Sequence, residues 1–206
     1  MTMPIIFLDI DGVLNSGHWR DIRGVVPDMA PLFGIHELDP QACNHLQQLC
    51  DQTEAQLVIA STWRNYLTMR EIGDLFKVRG LTAPIIGQTP DLSRNHGISK
   101  DDLRGLEVQW WLQNHFKTNE EVCAARFVCL DDEHFYGDLR GKLVQTRPAY
   151  GLTFLELPYI RNHLHESLMD SHAAGGSGRV FFEKDVCNLY SALPGRSGYS
   201  HGPAYS

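Results

Sequence analysis

The chain has 206 residues, enough for one α/β domain with a full core and, at most, a small accessory segment. Its formal net charge of -7 and pI near 5.8 argue against an extensive basic surface for duplex nucleic acid, while leaving room for a local phosphate site. The opening Met1-Thr2-Met3-Pro4 has no basic n-region, and the apolar run after it is too short to cross a membrane, so no membrane partner is expected.

The first element is Ile5-Ile6-Phe7-Leu8, which runs straight into Asp9; Asp11 follows, and then Gly12 as a turn signal. A short continuous apolar run of this kind predicts a strand buried on both faces, as in a parallel sheet. The two carboxylates then stand at the C-terminal end of a buried strand, where open α/β sheets place their ligands. Like charges that close need a cation or a retained proton. Mg2+ suits one or two carboxylates plus a substrate phosphate. An Asp can be a nucleophile through an aspartyl-phosphate, and a neighbouring Asp can move a proton.

Residues 16–37 break the pattern, mixing His18, Trp19, Arg20 and Gly24 without clean periodicity. A long insertion directly after the carboxylate strand predicts a loop that is either functional or disordered. Trp19 either meets a substrate there or anchors the loop to the core. Asp39-Pro40 is a helix start, with Cys43, Leu46, Leu49 and Cys50 at helical spacing behind it. Gln56 to Ala60 forms the second buried strand and ends in Ser61-Thr62-Trp63-Arg64. A hydroxyl at a strand's C-terminal end can donate to a phosphoryl oxygen. Ser61 is the first choice by alignment with the apolar run, and Thr62 the alternative.

A helix is expected from about Thr68 to Val78 with Gly80 as its stop, then a short strand at Pro84 to Gly87. A second helical pattern starts near Asp101 or Leu103, with Trp110 and Trp111 read as packing. Arg126 to Leu130 is the fourth strand and ends in Asp131-Asp132-Glu133; Val144 to Thr146 makes a last short one, and Thr153 leads into a helix reaching about Met169. From Ala173 the chain turns to Gly/Ser and then Pro/Gly, which predicts a domain over 1–172 and a flexible tail over 173–206. The five cysteines, Cys43, Cys50, Cys123, Cys129 and Cys187, show no CxxC pair or Cys/His metal spacing. Reduced thiols and a cytoplasmic location are the expectation.

Phe7-Leu8-Asp9-Ile10-Asp11-Gly12-Val13-Leu14-Asn15 resembles the first signature of the haloacid dehalogenase-like (HAD) superfamily, apolar residues followed by DxDG. Arg104-Gly105-Leu106-Glu107-Val108 to Leu112 resembles an RGxE[IV]xxWL segment of a HAD subgroup related to the phosphatase domains of nucleic-acid repair proteins. In that subgroup the second strand ends SSSWR-like, matched by Ser61 to Arg64. The metal loop reads LDDD-like, matched by Leu130-Asp131-Asp132-Glu133 with Glu in the third acidic place. A VxTxPxxGLT-like stretch is matched by Val144 to Thr153. The resemblance spans residues 4 to about 168 and implies a three-layer Rossmann-like α/β fold with a parallel sheet and a small cap or flap at 16–37.

It also implies roles. Asp9 attacks phosphorus; Asp11 protonates the leaving oxygen and then activates water. Mg2+ is held by Asp9, the Asp11 backbone carbonyl, Asp131 and Asp132. Ser61 and a cation hold the phosphoryl group, with Arg104 preferred over Lys100; Arg64 either contacts a second phosphate or serves at the surface or in an ion pair. The expected activity is phosphomonoester hydrolysis through an aspartyl-phosphate, on a nucleotide or phosphorylated nucleic-acid end. Alternatives are a small phosphorylated metabolite as substrate, or a non-catalytic HAD-like binding module. The chain lacks a GxxxxGK[ST] P-loop, so it carries no kinase signature of that kind.

Overall fold

The apolar runs alternate between two faces, and that alternation sets the architecture. The computed structural model describes residues 3–23, 37–94 and 97–165. Strands β1 (Ile5–Leu8), β2 (Gln56–Ile59), β3 (Ile85–Gln88), β4 (Phe127–Asp131) and β5 (Leu143–Gln145) form one sheet in the order β3-β2-β1-β4-β5, with every pairing parallel. Successive side chains on a strand point to opposite faces. Ile6, Leu8, Leu57, Ile59, Val128 and Leu130 therefore fill one face, against α2 (Pro40–Thr53), α3 (Met69–Val78) and α6 (Leu157–His165). Ile5, Phe7, Val58, Phe127 and Cys129 fill the other, against α4 (Leu103–His115) and α5 (Asn119–Cys123). Helices on both faces of a parallel sheet make the three layers that the resemblance implies. Among the described residues no helix is long and apolar enough to cross a membrane.

The helix ends follow local chemistry. Asp39 accepts a hydrogen bond from the Gln41 amide (2.8 Å) with Pro40 at the first helical position, as expected for α2. Thr68 and Glu71 cap α3 reciprocally. Trp111 is packing, as expected: it is buried, and its ring meets Phe7 edge-on at 5.4 Å. Two elements were not expected. The short helix α1 (Gly17–Arg23) lies inside the insertion, where Ser16 Oγ accepts from the Trp19 amide (3.1 Å). The five-residue α5 is opened by a Thr118–Glu121 capping box. The rest of the insertion, 24–36, and the chain beyond His165, including the 172/173 boundary and the tail, lie outside the described residues.

The chain lays β2 and β3 to one side of β1 and then returns to lay β4 and β5 on the other. This reversal beside β1 is the topological switch point at which open α/β sheets form their ligand crevice. It brings the ends of β1 and β4 side by side, the Asp9 amide donating to Leu130 O at 2.9 Å. Across that crevice α4 starts hard against the segment after β4. The Arg104 and Gly105 amides both donate to Phe135 O, and a Cβ on Gly105 would run into the Tyr136 backbone carbonyl. Gly105→Ala should therefore cost about 1–3 kcal/mol, the range for overpacking a filled site. Urea denaturation measures it; unchanged stability would mean that α4 can shift away freely.

Candidate active site

The turn after β1 is wound tightly. The amides of Val13, Leu14 and Asn15 all point at Ile10 O, at 3.2, 2.8 and 3.2 Å. Gly12 sits at φ +70°, and a Cβ there would overlap the Asp132 carboxylate. Glycine is thus required twice, for its left-handed conformation and for the space Asp132 occupies. Thr146 locks the turn from β5, its hydroxyl donating to Gly12 O (2.9 Å) and its amide to Asp131 O (2.9 Å). Gly151, at φ +66°, lets the following stretch close on the same turn, and the Leu152 amide donates to Val13 O (2.8 Å). The residues of the late Val144–Thr153 stretch thus brace the carboxylate turn, a role its sequence pattern did not disclose.

Asp9, Asp131 and Asp132 each offer an oxygen, and the three oxygens lie within 4.8 Å of one another. Asp9 and Asp131 are buried, and Asp132 is half-buried. Burial, and then Asp131 alongside, push the Asp9 carboxyl up to about 8, while the Arg104 charge and then hydrogen bonding from Ser61 and the Ile10 backbone oppose the rise. Asp132 rises to about 6 through burial and Asp131. Asp131 is raised by burial, against Arg104. Its Oδ1 accepts from the Glu133 amide (2.9 Å) and its Oδ2 from the Tyr136 hydroxyl (2.8 Å). Asp9 Oδ1, by contrast, is buried and has no hydrogen-bond partner among the described residues. A buried carboxylate oxygen with no donor, inside a cluster of carboxylates, fits a hard divalent cation and a phosphoryl group better than a closed structural site.

Ser61 and Arg104 join this cluster. Ser61 is fully buried at the end of β2. Thr62, its neighbour, is exposed. Arg104 Nε lies 3.8 Å from Asp131 Oδ2. Burial works against its charge, but Asp9 and Asp131 outweigh that and hold the guanidinium protonated. Lys100 is exposed, with Nζ 4.6 Å above the Phe135 ring. Arg64 turns inward and forms the ion pair: its Nη2 donates to Glu107 Oε2 (2.8 Å) and Pro90 O (3.0 Å), and its Nη1 to Ala60 O and to Ser61 O (2.7 Å). Glu107 also accepts from the Leu92 amide (3.0 Å) and lies 3.7 Å from Arg104 Nη1, which itself donates to Ala60 O. Both arginines thus converge on the carbonyl just before Ser61. Trp19 is half-buried on α1, with the Arg79 guanidinium 5.7 Å from its ring centroid.

The Asp11 side chain stands outside the carboxylate trio. Its Oδ1 accepts from Asn15 Nδ2 (2.8 Å) and its Oδ2 from Trp63 Nε1 (3.0 Å). Neither donor was foreseen as a site residue.

A parallel sheet whose central strand ends in DxDG, with a further acidic strand end beside it, defines a HAD-like hydrolase. Residues 5–156 match the family described as the HAD domain in Swiss Army Knife RNA repair proteins, and the chain belongs to that family. No curated protein and no solved structure gives a significant match to the chain.

The crowding of carboxylates makes stability depend on pH. The carboxyl of Asp9 moves from an ordinary 3.8 to about 8 on folding, so the metal-free native state holds a proton that the unfolded chain releases. Its stabilising contribution is complete below the lower value and is lost as pH rises through the upper one. Without divalent cation, the melting temperature should fall as pH is raised from the lower value to the upper, and Asp9→Asn should flatten that fall. A metal-free melting temperature independent of pH across this window would contradict the arrangement.

Proposed function

We propose that the protein is a Mg2+-dependent phosphomonoesterase that works through an aspartyl-phosphate. The observation that carries this reading is Asp9 Oδ1, a buried carboxylate oxygen with no hydrogen-bond partner among the described residues, at the end of the central strand and beside Asp131. Asp9, Asp131, Asp132 and the Asp11 backbone carbonyl would hold the cation. When bound, Mg2+ offsets the carboxylate charge and draws electron density from the phosphoryl oxygens. The protein supplies the rest. The Asp9 oxygen attacks phosphorus. Asp11 gives its proton to the departing oxygen and then takes one from the water that hydrolyses the aspartyl ester. Ser61 and Arg104 bind the equatorial oxygens, on which negative charge spreads. Thr62 and Lys100 lie farther out and are left for the remainder of the substrate, whereas Arg64 holds the Ser61 turn from behind.

For substrate we favour a nucleotide or a phosphorylated nucleic-acid end. The family description supports it, as does α1, which follows the carboxylate turn directly and carries His18, Trp19 and Arg20. An aromatic beside basic groups suits a base next to a phosphate, stacking being worth roughly 1–3 kcal/mol per base. The Arg79 guanidinium near the Trp19 ring favours the competing view that Trp19 anchors the helix; a small phosphorylated metabolite would then serve as well.

The purified chain should release phosphate from a 3′-phosphorylated oligonucleotide and from an aryl phosphate, with activity lost on chelation and restored by Mg2+. Asp9→Asn should abolish both activities while the fold persists. In the same assay Trp19→Ala should lower oligonucleotide turnover about tenfold, or one decade per 1.4 kcal/mol, and aryl phosphate turnover only a few-fold. Retained turnover in Asp9→Asn would contradict the mechanism; equal losses in Trp19→Ala would return Trp19 to an anchoring role.

A further inference from the structure

We propose that Trp63 is a positioning residue for proton transfer: its indole N–H, reaching across from the β2 loop, fixes the Asp11 carboxyl toward the leaving group of the phosphate ester. The inference rests on the phosphatase reading above and goes beyond it.

Trp63 is 1% exposed, and its Nε1 donates to Asp11 Oδ2 at 3.0 Å across 52 residues of sequence. The other Asp11 oxygen accepts from Asn15 Nδ2 at 2.8 Å. Asn15 is in turn fixed by the Gly12 amide, which donates to its Oδ1 at 2.9 Å. Asp11 is thus held by one donor from its own turn and one from the neighbouring strand's loop. With both carboxyl oxygens engaged, the side chain cannot spin about its χ angles, yet each oxygen keeps a second lone pair for a proton.

The second donor is itself rigid. Trp63 lies in the 3-10 turn Thr62–Asn65, its amide donating to Ser61 Oγ at 3.3 Å. The next residue, Arg64, is clamped by the Ala60, Ser61 and Pro90 carbonyls and by Glu107. Ser61, which faces the phosphoryl group, and Trp63, which holds the acid, are therefore two positions apart on one braced turn. Trp63 transmits the position of the phosphoryl pocket to the proton donor.

An Asp9 oxygen forms a bond to phosphorus as the bond from phosphorus to the ester oxygen breaks. The proton of the Asp11 carboxyl passes to that oxygen, which leaves as an alcohol. An alkoxide is a poor leaving group and needs this proton; a dinitrophenolate leaves without it. A residue that only supports the fold would affect both kinds of ester alike.

The test compares kcat/KM, which reports the steps up to cleavage of the ester bond, for an alkyl phosphate and for 2,4-dinitrophenyl phosphate, in wild type and Trp63→Phe. We expect at least a tenfold loss on the alkyl ester and no more than about a threefold loss on the dinitrophenyl ester. In an Asp11→Asn background the same substitution should add no further selective loss, because the group it positions is gone. Should Trp63→Phe fail to fold, benzothienylalanine at position 63, which replaces the N–H by sulfur at nearly constant shape, takes its place with the same expectation. Equal losses on the two esters, or none on either, overturn the inference while leaving the phosphatase reading intact. Wild-type protein that turns over neither ester overturns that reading, and this inference with it.

Discussion

Three carboxylates are forced together where β1 and β4 end, and most of the surrounding structure answers that constraint. Asp9, Asp131 and Asp132 bring oxygens within 4.8 Å of one another, two of the three residues being buried. Isolated buried charges of one sign are strongly disfavoured. Asp131 is relieved by Tyr136, by the Glu133 amide and by the charge of Arg104. Asp9 keeps an oxygen with no donor among the described residues. The parallel sheet makes this possible: its reversal of direction beside β1 sets two strand ends, each carrying an aspartate, next to each other.

Behind the carboxylates lies a second buried charge cluster, Arg64, Glu107 and Arg104. Buried ion pairs add little to stability against apolar residues of similar volume. Their contribution here is geometric. Both guanidinium groups converge on the Ala60 carbonyl, and Glu107 lies between them and also takes the Leu92 amide. The turn that carries Ser61 and Trp63 is fixed from below, and Arg104 is held facing Asp131. Gly105 completes the arrangement by letting α4 approach the Tyr136 backbone.

Much of this was legible in the sequence, for identifiable reasons. Continuous apolar runs ending in Asp9, Ser61 and Asp131 mark buried parallel strands and place polar residues at one edge of the sheet, because the strand period and the topology leave little choice. Asp39-Pro40 gave the start of α2 through local chemistry alone. What escaped was either too short or too distant. Five-residue α5 has no periodicity to read, although Thr118 and Glu121 carry a capping-box signal. The Trp63–Asp11 hydrogen bond and the Arg64–Glu107 pair join residues 52 and 43 positions apart, and no local pattern encodes such a pairing. For Arg64, the choice between a phosphate and an ion pair depended on Glu107, three residues after Arg104 on α4.

In the proposed function the nucleophile is the Asp9 oxygen that has no hydrogen-bond partner among the described residues. The most direct measurement is to quench the working enzyme with borohydride, which reduces an aspartyl-phosphate to homoserine, and to locate the modified residue by peptide mass spectrometry. Homoserine is expected at position 9, dependent on both substrate and Mg2+. Modification at another residue, or turnover with position 9 left as aspartate under conditions that trap an acyl phosphate, would contradict it.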